Sequence, residues 1–212
     1  MTRYPSEIYT YIGDLTRFHD PILKEMEDRA RETNFPIIGP VVGPWLYQLA
    51  RMINAKRIFE MGSGYGYSTW FFAKALDDNG GGEVVHTVWD EKLSEEAKVW
   101  LEKAGMLRCL DFQVSESTLA LESAEPGIDL IFMDIDKEGY RMALDTIERR
   151  LRPGGLLLID NTLIGDRVVK EDDQREDVVS VREMNKYLGE SPRWDYLINP
   201  LRDGLGIALF KG

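Results

Sequence analysis

Two apolar runs in this sequence end on charge. Leu130 to Met133 stops on Asp134, with Asp136 and Lys137 close behind, and Leu156 to Ile159 stops on Asp160 and Asn161. Asp134, Asp160 and Asn161 all offer oxygen, and oxygen-only ligation suits Mg²⁺, Ca²⁺ or Mn²⁺, with Mg²⁺ the expected ion. Two carboxylates and an amide leave about half of an octahedral shell for water or substrate oxygens, and a vicinal diol fits two such positions. A cation there would act as a Lewis acid on a bound hydroxyl. Lys137, at the first turn beyond the strand, is positioned to face that same oxygen and take its proton as a general base. Asp136 reads as an acid favoured by a helix dipole, with support of the site as the alternative. Acids also end strands and cap helices without binding anything, so the reading depends on the two strand ends lying side by side.

The second chemical feature is a glycine-rich turn, Glu60-Met61-Gly62-Ser63-Gly64-Tyr65-Gly66-Tyr67-Ser68. Gly62 and Gly64, on either side of Ser63, let the backbone turn tightly and let a ligand lie against bare main chain. The spacing is G-x-G-x-G rather than the G-x-G-x-x-G of a dinucleotide fingerprint. Glu60 would repel a pyrophosphate and favour an ammonium group. A plain strand-to-helix turn is the alternative.

These residues need a scaffold that gathers strand ends. From Arg57 onward the pattern alternates strand and helix. Strands are expected at Ile58–Met61, Val84–Trp89, Leu110–Val114, Leu130–Met133 and Leu156–Ile159. Helices are expected at Ser68–Asp77, at Glu95–Ala104 behind a Ser94 cap, near 117–123 and near 138–151. Such alternation implies a parallel doubly wound sheet, whose ligands bind beyond the carboxyl ends of its strands. After a helix at Val178–Leu188, two consecutive strands, Trp194–Ile198 and Gly206–Phe210, predict an antiparallel hairpin at the sheet edge. The whole is an α/β, Rossmann-like, seven-stranded sheet preceded by N-terminal helices. Residues 6 to 33 predict two short helices, with Ser6 as a cap and Pro21 as a break. Pro36, Gly39, Pro40, Gly43 and Pro44 predict a loop over Asn34–Pro44, with Trp45–Asn54 as the next helix. We therefore expect a helical arm and loop at 1–44 and the main domain at 45–212, in one globular unit.

Composition narrows the function classes. At 212 residues and a net charge of −11, the chain is unsuited to gripping phosphate backbones, so a nucleic-acid partner is not expected. One cysteine, Cys109, permits no internal disulfide, and one Cys with two His makes a structural zinc site unfavourable. No secretory pattern or membrane-length apolar run is seen, so a cytoplasmic protein without a membrane partner is expected.

The motif E-M-G-S-G-Y-G-Y-S, together with D-I-D-K-E-G-Y, L-R-P-G-G-L-L-L-I-D-N and P-L-R-D-G-L, resembles the metal-dependent branch of the class I S-adenosylmethionine-dependent O-methyltransferases. That branch is typified by the catechol and caffeoyl-CoA enzymes, and the resemblance extends over residues 45 to 212. It implies that Glu60 and Gly62, within the Gly62-Ser63-Gly64 turn, meet the amino-acid part of S-adenosylmethionine, and that Ser68 holds its carboxylate. It puts Ser117 at the adenine. It assigns Asp134, Asp160 and Asn161 as metal ligands, with Asp134 also beside the cofactor, and Lys137 as the base. The family's ribose-binding acid falls on Val88, which has no polar side chain. Asp90 substitutes if the strand end is shifted; otherwise the ribose is held differently, with Trp89 over the adenine. The family's homodimer is a further implication.

Substrate identity is less legible. The glutamate with which the catechol enzymes clasp their substrate is replaced by Gly206, and the plant branch's tryptophan by Ile164. Arg167, Lys170 and Arg175 lie among acids in the loop Thr162–Arg175, a pattern read as a solvated loop, with contact to an acidic tail such as coenzyme A as the alternative. The expected activity is methyl transfer to a hydroxyl of a small, ortho-dihydroxy aromatic substrate. The competing readings are a tRNA hydroxyl methyltransferase of the same branch, which the charge disfavours, and a non-catalytic S-adenosylmethionine-binding protein, which has no need of Lys137 and the acids together.

Overall fold

The computed structural model describes residues 6–16 and 18–212. Helix α1 spans Ser6–Thr16; the side chain of Ser6, the expected cap, lies outside the described residues. Helix α2 spans Pro21–Thr33, so Pro21 starts a helix as well as interrupting one. Asp20 caps it by accepting from the Ile22 amide at 2.8 Å, and the missing Pro21 N–H belongs to a turn that has no intrahelical partner.

Helix α3 runs from Gly39 to Met52 and so begins six residues before the expected start at Trp45. Pro40 fits its first turn, and Pro44 is carried inside the helix. A Cβ on Gly43 would come within 2.2 Å of the Phe71 ring. Residues that read as breakers are here a helical start and a close-packing position.

The remainder alternates as expected. Strand β1 (Arg57–Met61) leads to α4 (Tyr67–Asp78), β2 (Glu83–Val88) to α5 (Glu91–Lys103), β3 (Leu110–Val114) to α6 (Ser117–Ser123), and β4 (Ile128–Met133) to α7 (Tyr140–Arg150). Strand β5 (Leu151–Ile159) is followed by α8 (Glu176–Glu190), β6 (Trp194–Asn199) and β7 (Leu205–Phe210). Helix α5 starts before the expected cap at Ser94: Asp90 caps it instead, accepting from the Lys92 amide at 2.8 Å, and Ser94 is buried inside it.

The seven strands form one sheet in the order β3-β2-β1-β4-β5-β7-β6. The first five are parallel, and β7 lies antiparallel between β5 and β6. Successive residues feed opposite faces: Ile58 and Leu130 join a core with α2, α3 and α4, while Phe59 and Ile131 join one with α7 and α8. Two features of this topology matter for function. The winding reverses between β1 and β4, which opens a crevice at their carboxyl ends. In addition, Met61 pairs with Met133 and Met133 with Ile159, so the residues after β1, β4 and β5 emerge side by side. No described helix is long and apolar enough to cross a membrane.

Candidate active site

The glycine turn is pressed directly onto the end of β4. Asp134 donates its amide to the Met61 carbonyl at 2.9 Å. Gly62, at φ 87°, passes so close that a Cβ there would lie 2.2 Å from the Asp134 carbonyl oxygen. Only glycine satisfies both the dihedral and the space. One strand further along, the Asp160 amide bonds the Met133 carbonyl at 3.1 Å, and Tyr140 donates its hydroxyl to the Asp160 carbonyl at 3.0 Å.

A cleft of about 910 Å³ opens over these strand ends. Its walls bring together Gly62, Ser63, Gly64 and Ser68 from the glycine turn, Ser117 from the start of α6, and Asp134, Lys137, Asp160 and Asn161. Val88 and Trp89 also face it, and Trp89 is 80% exposed. Asp90 is not on its wall; that carboxylate is turned to the Lys92 amide of α5.

Glu60 lies beneath the turn, fully buried. Thr69 donates its hydroxyl to Glu60 Oε2 and lies 3.0 Å from His86 Nδ1. Glu60 Oε1 has no protein partner. Burial pushes the Glu60 carboxyl up to about 7, against the pull of the Ser68, Thr69 and Ser63 hydroxyls. An unpartnered buried carboxylate oxygen is costly, and an ammonium group would satisfy it. Thr87 ties the start of α6 to this framework: its hydroxyl donates to the Glu60 carbonyl at 2.7 Å and shares a hydrogen bond with the Ser117 hydroxyl at 2.9 Å. The Ser63 hydroxyl accepts from the Thr87 amide at 3.1 Å.

On the acidic side, Lys137 Nζ donates to Asp134 Oδ1 at 2.7 Å and to the Ile135 carbonyl at 3.0 Å. It also lies 5.0 Å from the centre of the Tyr140 ring. Burial, followed by the charge of Asp134, raises the Asp160 carboxyl well above the usual carboxylate range, while Arg202 and Lys137 oppose the shift. Two acids held together in this way favour either a shared proton or a cation. Asn161, at φ 57°, points its Nδ2 at Asp203 Oδ2 over 3.4 Å, which leaves Oδ1 for a cation. Among the described residues no three His, Cys, Asp or Glu side chains are grouped to hold a metal; the donor set here is two carboxylates and an amide.

Sequence reasoning did not single out Arg202 or the strap Phe35-Pro36-Ile37, which also line the cleft. It also missed Asp203, which accepts from the Gly165 amide at 2.6 Å and so clips the β6–β7 loop to the segment after Asn161. In the loop Thr162–Arg175, Arg167 pairs with Asp177 and Arg175 with Asp173. Those charges are used within the fold. Trp45 and Tyr47 do not line the cleft either; the Tyr47 hydroxyl bonds Asp78 at 2.8 Å.

The O-methyltransferase family model matches residues 16–211. The chain belongs to that family. A protein of Niastella koreensis named catechol O-methyltransferase is 30% identical to this O-methyltransferase, over 95% of each chain. An Arabidopsis thaliana protein named probable caffeoyl-CoA O-methyltransferase is 28% identical, over 95% of this chain and 93% of that one. Cofactor-bound Rv0187 of Mycobacterium tuberculosis has a TM-score of 0.88 at 26% identity, covering 100% of this chain and 99% of that one. A Bacillus cereus O-methyltransferase in complex with S-adenosylhomocysteine, at 23% identity, shares the fold with a TM-score of 0.88 over 97% of both chains. The O-methyltransferase is thus an enzyme of the class I, S-adenosylmethionine-dependent group of catechol and caffeoyl-CoA type.

Proposed function

We propose that this O-methyltransferase works with a divalent cation, Mg²⁺ first, and methylates one hydroxyl of an ortho-dihydroxy aromatic compound. The observation that carries the reading is the meeting of Asp134, Asp160, Asn161 and Lys137 in one cleft with the glycine turn. S-adenosylmethionine supplies an electrophilic methyl group on a sulfonium. Glu60 is suited to its ammonium through the unpartnered Oε1, Ser68 and the main chain of Gly62, Ser63 and Gly64 to its amino-acid end, and Ser117 to the adenine. Trp89 offers a broad apolar face on that side of the cleft. Asp90, turned towards α5, would serve the ribose only by giving up its cap.

Asp134, Asp160 and Asn161 would hold the cation, which would supply Lewis acidity to a hydroxyl placed beside it. Filling that position also relieves the repulsion between the two acids. Lys137, bonded to Asp134 at 2.7 Å, lies beside that position and in its neutral amine form would accept the hydroxyl's proton. Holding nucleophile and methyl carbon in line is worth several kcal/mol through orientation alone, on the order of the effective-molarity gains of intramolecular reactions.

The test is to incubate the purified protein with S-adenosylmethionine and a panel of phenols, identifying products by mass. Compounds with vicinal hydroxyls should gain one methyl group, while phenols with a single hydroxyl should gain none. Methylation of both groups at equal rates would remove the ortho-dihydroxy assignment.

A further inference from the structure

Arg202 has a position and a state that the proposed chemistry does not use. Its backbone is left-handed, at φ 51°, a conformation that costs a non-glycine residue on the order of 1 kcal/mol. The loop that imposes it is tied to the metal-side strand end: the Thr162 amide bonds the Gly204 carbonyl at 3.1 Å and the Leu163 amide the Asp203 carbonyl at 2.9 Å. The side chain then crosses to the strap and donates one Nη1 bond to the Ile37 carbonyl at 2.8 Å. It lines both the catalytic cleft and an adjoining cavity of about 970 Å³, and Phe35, Pro36 and Ile37 border the same two spaces.

Among the described residues, no carboxylate comes within ion-pair distance of Arg202. The other cation on the cleft wall, Lys137, is engaged with Asp134. A guanidinium has five N–H donors in a planar fork, and only one bond to protein is seen here. Phe35 and Ile37 supply an apolar border beside it, of the kind that suits an aromatic ring. A single guanidinium whose charge already acts on Asp160, with Asp203 next to it in the chain, can balance one further negative charge but not a polyphosphate.

We propose that Arg202 anchors a carboxylate carried by the methyl acceptor, so that the enzyme selects ortho-dihydroxy aromatic acids over neutral catechols. The proposal rests on the ortho-dihydroxy reading above and names the acceptor class within it. Arg202→Gly is the informative variant, because glycine accepts the left-handed backbone and removes the fork without strain.

The experiment is calorimetric titration of protocatechuate, a catechol with a ring carboxylate, and of catechol itself. Both are titrated into protein loaded with Mg²⁺ and S-adenosylhomocysteine, which allows binding without turnover. Wild type should bind protocatechuate about tenfold or more tighter than catechol, the scale of one charge-assisted bidentate contact. Arg202→Gly, with an unchanged melting temperature, should bind the two alike, and Arg202→Lys should fall between. The proposal is overturned if wild type shows no preference or binds neither compound, or if the preference survives in Arg202→Gly. Equal weakening of both ligands also overturns it, since Arg202 would then be only a latch on Ile37. If the preference appears and is lost as expected, but S-adenosylmethionine yields no methylated product from either compound, the anchor stands and the proposed reaction fails.

Discussion

At the residue scale, the acidic cluster divides into parts with separate tests. Lys137 is the group assigned to proton removal, so Lys137→Met should lower kcat by roughly 10²- to 10⁴-fold, the usual worth of a general base. S-adenosylmethionine affinity, followed by calorimetry, should stay unchanged. Lys137→Arg should not rescue turnover, since an arginine keeps the charge but cannot accept a proton. Glu60 makes a pH prediction. Its native carboxyl sits at about 7 against an ordinary value of 4.5. Between those values the native protein keeps a proton that the unfolded chain has released, so this group's contribution to stability falls as pH rises through that window and is level above it. Glu60→Gln removes that titration. By urea unfolding without cofactor, the stability of the variant relative to wild type should therefore grow across the same window, reaching on the order of 3 kcal/mol. A gap independent of pH would contradict the buried carboxyl. Asp134, Lys137, Asp160 and Asn161 were legible in the sequence because Asp134 and Asp160 directly follow apolar strands, with Lys137 and Asn161 within four residues of a strand end. The Thr69–Glu60–His86 contacts and the Arg202–Ile37 bond were not, because they join residues far apart in the chain that no local pattern links.

At the element scale, the site depends on loops that clip one strand end to another. Asp203 is the main clip, bonding the Gly165 amide at 2.6 Å and Asn161 Nδ2 at 3.4 Å. Asn185 adds a second, donating to the Thr162 carbonyl at 2.9 Å while accepting from the half-buried Tyr196 hydroxyl at 2.6 Å. Asp203→Ala should therefore cost on the order of 1 kcal/mol of stability, the usual net worth of a hydrogen bond open to water. It should also weaken binding of the cation by loosening Asn161. Denaturant unfolding and a Mn²⁺ titration would measure the two effects, and loss of stability with unchanged Mn²⁺ affinity would separate the clip from the metal site. Ile164, a β-branched residue at φ 43°, marks strain in this same segment. Element type was legible almost throughout, because the strand–helix alternation is strong. The start of α3 was not. Gly39, Pro40, Gly43 and Pro44 carry the local chemistry of a loop, and only the packing of Gly43 against Phe71 explains the helix. The start of α5 shows competition between two good caps: Asp90 reaches the Lys92 amide, whereas the Ser94 hydroxyl is buried without a partner.

At the scale of the whole molecule, the sheet order explains why residues spread from Glu60 to Arg202 serve one cleft. Placing β4 beside β1 and β5 beside β4 brings the glycine turn and both acidic strand ends to the reversal of winding. The antiparallel return of β7 against β5 then delivers the β6–β7 loop, with Arg202 and Asp203, to the same edge. The doubly wound architecture and the C-terminal hairpin followed from periodicity and element order. The contribution of that hairpin loop to the site did not, because it depends on β7 inserting between β5 and β6. The central claim is that the acids at the ends of β4 and β5 hold a cation needed for methyl transfer to a vicinal diol. Its most direct test is the rate of S-adenosylhomocysteine formation from S-adenosylmethionine and a catechol, measured with Mg²⁺, with excess chelator, and with Mg²⁺ restored. The account predicts turnover that chelator abolishes and Mg²⁺ recovers in wild type, with no recovery in Asp160→Ala. Turnover unaffected by chelator, or fully retained in Asp160→Ala, would contradict it.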